Sequence, residues 1–184
     1  MYKYLIFLGF SFLIGLREEE EKAWSTVTPL TWADFKGKVD TNSSFAAAID
    51  TRISYNYDLN SDTIEFEIVA LFNPNKSWVK KEDITNRALM HEQLHFDITE
   101  LFARKIRKVL SQSKFYSKKA IQNELEIYYF QSTSNHLVYQ RDYDTETDHG
   151  IKTSAQIKWS NKIKKGLDSL SKYSSRIVQK VISK

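Results

Sequence analysis

An α+β fold is predicted by the order in which two hydrophobic periodicities occur along the chain, strand-like alternation first and helical spacing after it. Residues 63–72 alternate Ile64, Phe66, Ile68, Ala70 and Phe72 against Glu65 and Glu67, the pattern of a strand with one buried face. From residue 84 onward there is no proline, and apolar residues recur three and four apart over long stretches. A length of 184 residues with 41% hydrophobic content suits one core of ordinary size, and no internal repeat divides it.

The elements follow in chain order. Met1-Tyr2-Lys3 carries one positive charge, residues 4–16 are apolar apart from Gly9, Ser11 and Gly15, and residues 17–22 are abruptly charged. A helix of that apolar length spans about 20 Å against a bilayer core of about 30 Å, so residues 1–22 read as a signal peptide. The expected location is secreted or periplasmic. Because Gly15 is the one small residue suited to a cleavage site, an uncleaved membrane tether is the alternative. The chain has no cysteine, which excludes disulfides, thiolate metal sites and a lipidated N-terminus. Residues 23–184 then form a single domain.

Within that domain, residues 45–57 and 63–72 predict a hairpin about the turn-rich stretch 58–62. Asn73-Pro74-Asn75 ends it, and Ser77-Trp78-Val79 leads to a helix over residues 84–110 with Asp83 as its cap. Further helices are predicted over 118–140 and 154–173.

The first helix carries the chemistry. His91-Glu92-Gln93-Leu94-His95 has the HExxH spacing of zinc hydrolases. Residues four apart share a helix face, so both imidazoles can reach one cation, while Glu92 is turned about 100° away and can serve as general base. The apolar positions Ala88, Leu94, Ile98, Leu101 and Phe102 place both histidines on the inward stripe. Imidazoles aimed into a core are costly to desolvate unless bonded or metallated, which favours a Zn2+ site over coincidence.

Catalytic zinc needs a third protein ligand. The metzincin extension is excluded, because Ile98 and Leu101 stand where its glycine and histidine would be. Three sources are left: His149, acids of the polar segment Tyr143-Asp144-Thr145-Glu146-Thr147-Asp148-His149-Gly150, or Glu124 and Glu126 of the second helix. His149 leads, since imidazole is a common zinc ligand and Gly150 lets the backbone turn. The segment itself reads as a polar loop beyond a helix end.

These residues carry a resemblance. Leu30-Thr31-Trp32-Ala33-Asp34-Phe35-Lys36-Gly37, Ser77-Trp78-Val79, the His91-Glu92-Gln93-Leu94-His95-Phe96-Asp97 helix with Ala103-Arg104, then Gln140, the 143–150 segment and the Gln156/Trp159 pair are similar to a bacterial family of secreted zinc-dependent metallopeptidases. That family is grouped with the zincin-like peptidases and long described as a domain of unknown function. The resemblance spans roughly residues 29–170. It implies a zincin-like α+β fold, with N-terminal antiparallel strands packed on the HExxH helix and further helices after it. It also implies a peptide or protein substrate. By analogy with that fold, residues 63–72 would be the edge strand that receives the substrate.

Tyr143 is the candidate to donate a hydrogen bond to the oxyanion. His136 reads as an ordinary core or surface histidine. Asp97, about 200° around the helix from His95, can orient a neighbouring loop and no more; Arg104 reads as a solvated or surface-paired cation. Residues 151–184 carry nine Lys and Arg against the single acid Asp168, a balance of 9 − 1 = +8 that suits a solvated helix face and, secondarily, contact with an anionic membrane or envelope polymer. No nucleic-acid motif accompanies them. The sequence therefore predicts an exported zinc metallopeptidase with His91, His95 and His149 as ligands, Glu92 as base and Tyr143 assisting. The competing class is a non-catalytic envelope module in which four protein ligands close a structural zinc.

Overall fold

The computed structural model describes residues 20–182, so the expected signal segment lies outside the described residues up to residue 19. The fold is mixed α+β, with antiparallel sheets and three helices. Its strands are β1 (Lys22–Ala23), β2 (Ala47–Ala48), β3 (Thr51–Asn60), β4 (Thr63–Phe72), β5 (Trp78–Val79) and β6 (Ile177–Val181). The helices are α1 (Asn86–Gln112), α2 (Lys118–Thr147) and α3 (Thr153–Ser169).

The predicted hairpin forms with an altered first arm. β3 pairs with β4 from Thr51↔Phe72 to Asn60↔Thr63, leaving Ser61-Asp62 as a two-residue turn with Ser61 at φ 48°. Residues 45–48 do not continue β3. The chain breaks at Asp50, whose amide donates to Ser77 Oγ and whose carbonyl accepts from Asn73 N, and β2 pairs instead with β5.

β4 is the centre of the larger sheet and not its edge, which corrects the expectation for residues 63–72. β3 covers one side of it, and β1 and β6 share the other. Its row Ile64, Phe66, Ile68, Ala70 and Phe72 is fully buried. At about 1.5–3 kcal/mol for each large apolar side chain, this row makes β4 the strand with most to lose by exposure. β6 was not expected: the third helix stops at Ser169, and residues 177–181 pair with residues 63–67 of β4. Two of the basic tail's side chains are used there, Lys180 Nζ donating to Ser111 O and Arg176 to Trp24 O.

α1 starts at Asn86 because the Thr85 hydroxyl caps Ala88 N; Asp83 lies in a short 3₁₀ turn before it. Its second half buries ions. Glu100 accepts from Arg104 Nε (2.9 Å) and from Arg107 Nη1 (2.8 Å) and Nη2 (3.1 Å), so Arg104 is a buried, paired cation and not a solvated one. Arg107 also donates twice to Ile68 O, at the point where β4 has neither β1 nor β6 beside it. The motif's other polar residues tie down the N-terminal stretch. Asp97 accepts from Trp24 Nε1 (2.7 Å) and Gln93 Nε2 (2.9 Å), and Gln93 Oε1 accepts from Leu30 N (2.8 Å). No helix among the described residues is long and apolar enough to cross a membrane.

Candidate metal centre

α2 runs past the expected end at residue 140 to Thr147, so most of the predicted polar loop is helix. No Pro or Gly precedes Gly150 there, and every third or fourth residue (His136, Gln140, Tyr143, Asp144, Thr147) turns toward the rest of the fold while the polar remainder faces water. The helix ends through three successive left-handed residues, Asp148 (φ 52°), His149 (φ 52°) and Gly150 (φ 81°). A Cβ on Gly150 would stand 3.0 Å from the His91 ring, so glycine allows the backbone to close against that imidazole.

Two ladders of side chains meet across the α1–α2 contact. His91, His95 and Thr99 descend one face of α1, and Asp144, Gln140 and His136 descend the facing side of α2 in the opposite sense. His91 Nε2 and His95 Nε2 lie 3.1 and 3.0 Å from Asp144 Oδ1, and 3.2 Å from each other. Ligands at about 2.0–2.1 Å from a tetrahedral zinc would be roughly 3.3–3.4 Å apart, so this near-equilateral triangle has the dimensions of one coordination face. Among the described residues these three form the one group of His and acidic side chains gathered closely enough to hold a metal.

The outer nitrogens fix the tautomers. Gln140 Nε2 donates to His95 O (2.9 Å), a pure acceptor, which turns its Oε1 toward His95 Nδ1 (2.7 Å); His95 therefore carries its proton on Nδ1 and aims the Nε2 lone pair inward. Gln156 Oε1 stands 3.3 Å from His91 Nδ1 and has the same effect. Two imidazole lone pairs and a carboxylate then converge with no proton between them, an arrangement that repels itself unless a cation fills it. In the absence of a cation, burial works against charge on His95, but the adjacent Asp144 carboxylate outweighs it and raises the imidazole's pKa. For Asp144 burial likewise opposes the charged form, and the two histidines override it to hold the carboxyl well below the usual range.

Glu92 lines the same cavity of about 370 Å³ as the triangle. It is 6% exposed, makes no hydrogen bond to the described residues, and burial raises its pKa. No buried side-chain oxygen is left unpaired in the described residues, so its carboxylate opens into the cavity.

The structure brings His91, His95 and Glu92 together as predicted and places the other two candidates differently. His149 stands at the cavity mouth with its side chain 47% exposed, packed on Phe45, and its Nδ1 is 3.7 Å from Asp144 Oδ1. The left-handed turn carries it past the triangle, and the third vertex is Asp144, one of the segment's acids. Tyr143 is fully buried and stacked on His91; its hydroxyl lies between Gln156 Nε2 (2.7 Å) and His91 O (3.3 Å) and does not line the cavity, so it packs His91 in place and is not positioned to reach an oxyanion there. Glu124 and Glu126, about five and a half and five turns before Asp144 on α2, are remote from the site. A larger groove of about 470 Å³, between Phe102 and Tyr139, holds none of these groups.

The fold and site define an α+β protein whose HExxH helix and a facing helix assemble a His-His-Asp cluster beside a buried glutamate that has no hydrogen bond to the described residues. The chain belongs to the family described as "Bacterial protein of unknown function (DUF922)", which it matches over residues 23–150, a span that includes every residue of the cluster. No curated protein and no solved structure matches it.

Proposed function

We propose that this protein is a zinc-dependent hydrolase of the zincin-like type, acting on peptide bonds, with His91, His95 and Asp144 as the zinc ligands and Glu92 as general base. The observation that carries the reading is the triangle of inward lone pairs, 3.0–3.2 Å on each side, next to a buried carboxylate with no partner of its own. A purely structural zinc would be closed by a fourth protein ligand, whereas here the fourth side is the cavity. When bound, zinc supplies Lewis acidity that brings the pKa of water toward neutrality and polarises a carbonyl.

The chain's own groups do the rest. Gln140 and Gln156 keep both imidazoles in the ligating tautomer, and Tyr143 and Gly150 pack His91 in place. Glu92, its carboxyl pKa raised by burial, takes a proton from water and can return it to the departing amine. Since residues 1–22 read as a signal peptide in sequence, the proposed setting is outside the cytoplasm.

The test is Glu92→Gln, whose amide nearly matches the carboxylate in shape but accepts no proton. With zinc content and melting temperature unchanged, cleavage of a mixed peptide library is expected to drop about 10²- to 10⁴-fold. Equal cleavage by variant and wild type, or no cleavage by fully zinc-loaded wild type, would make the site structural.

A further inference from the structure

The Gln140 amide that sets His95's tautomer also sets that of His136. Its Nε2 lies 2.8 Å from His136 Nε2, closer than Thr99 Oγ1 at 3.0 Å, and since an amide nitrogen offers only hydrogens, that contact is a hydrogen bond when His136 Nε2 accepts. The proton of a neutral His136 is then on Nδ1. That atom has no hydrogen-bond partner among the described residues, yet no buried side-chain nitrogen of the described residues is unpaired. Nδ1–H is therefore open to space, and the space His136 lines is the cavity of Glu92 and the metal triangle.

Donors are scarce in that cavity. No lysine or arginine of the described residues lines it, Gln140's amide is committed to His95 and His136, and the Thr51 hydroxyl lies against Thr99 at 2.8 Å. Besides His149 at the mouth, His136 is the side chain left to offer an N–H to something bound inside. Its level in the cavity is informative. Nε2 stands 3.0 Å from Thr99, one helical turn beyond His95, or about 6 Å along α1. Two residues of extended peptide span a similar distance, roughly 6.6 Å.

We propose that His136 is a substrate-binding residue, presenting Nδ1–H to a backbone carbonyl that flanks the scissile bond of an extended peptide. This rests on the hydrolase reading above. The imidazole is also neutral at ordinary pH, since burial, and secondarily His95, depress its pKa to about 4, so it donates a hydrogen bond without adding charge.

The test uses two probes on the zinc-loaded full chain. Acetohydroxamate reaches the metal alone, whereas acetyl-Leu-Leu-hydroxamate adds backbone carbonyls. His136→Gln places an amide at the Nε2 level and keeps the contacts to Thr99 and Gln140, but removes the cavity donor; His136→Asn restores an N–H near the Nδ1 position. Binding of the dipeptide probe is expected to weaken about three- to tenfold in His136→Gln and to return most of the way in His136→Asn, with acetohydroxamate affinity and zinc content unchanged in both. Unchanged dipeptide affinity in His136→Gln, or equal loss in both variants, overturns the assignment while leaving the hydrolase reading intact. Failure of wild type to bind either hydroxamate overturns both. Independently of any variant, a long-range ¹H–¹⁵N spectrum is expected to place the His136 proton on Nδ1, and a proton on Nε2 would refute the proposal.

Discussion

The two halves of α1 each bury a polar cluster, and the clusters differ in how they are completed. Around Glu100, opposite charges meet inside the protein: two arginines donate to one carboxylate, Arg107 gives its remaining hydrogens to the carbonyls of Ile68 and Tyr173, and Arg104 gives one to Leu167 O. Around His91 and His95, the outer nitrogens are satisfied but the inner ones face each other and Asp144, and Glu92 makes no hydrogen bond to the described residues. Burial therefore does not separate structure from function in this molecule; self-sufficiency does. The first cluster fills the gap between β1 and β6 beside β4, and the second turns its inner atoms toward a cavity.

The sharpest way to break this contrast is to disturb the closed cluster. Arg107→Met would leave Glu100 and the Ile68 carbonyl buried and short of donors, and is expected to reduce stability by about 3–5 kcal/mol. Denaturant unfolding would measure it, and zinc stoichiometry of the fraction that stays folded should not change. A loss under about 1 kcal/mol would show that the cluster is not holding β4 against α1.

A pH titration of stability addresses the boundary between the clusters, where His136 sits. His136 is neutral in both states above pH 6.5; below it the unfolded chain takes up a proton that the fold resists until about pH 4. Stability is then lost as pH falls from 6.5 to 4, by about 3 kcal/mol from this group, and His136→Gln should flatten that part of the curve. Superimposable slopes for the two proteins would contradict the burial of a neutral imidazole.

A smaller effect is expected from the glutamines that hold the outer nitrogens of His91 and His95. Gln156→Leu removes the partner of His91 Nδ1 and frees the Tyr143 hydroxyl, and should weaken zinc about 10- to 100-fold with little change in the metal-free melting temperature. Competition against a chelator of known affinity reads this directly. Unaltered affinity would mean that stacking on Tyr143 suffices to hold His91.

Much of this arrangement was legible in the sequence. The i, i+4 histidines, the inward stripe of α1 and the alternation of β4 depend on local periodicity, which a single chain displays. The role of Asp97 as a loop anchor followed from its angle around α1, and Trp24 proved to be its partner. What stayed hidden depended on long-range pairing. β4 looks the same whether central or at an edge until β6 arrives from more than 100 residues away. Residues 143–148 are polar enough to suggest a loop, but a helix packed along one side needs only its inner row, here Tyr143, Asp144 and Thr147, to suit the core. Reading that stretch as helix aligns Asp144 with Gln140 and His136, and it would have ranked Asp144 above His149, which the left-handed turn carries outward.

The choice between those two residues is the most direct test of the central claim. Zinc bound per chain should be measured, after dialysis against a weak chelator, in wild type, Asp144→Asn and His149→Ala. The account predicts about one zinc per chain in wild type and in His149→Ala, and near-complete loss in Asp144→Asn, because only the former variant keeps all three vertices of the triangle. Retention of zinc by Asp144→Asn together with its loss from His149→Ala would contradict it.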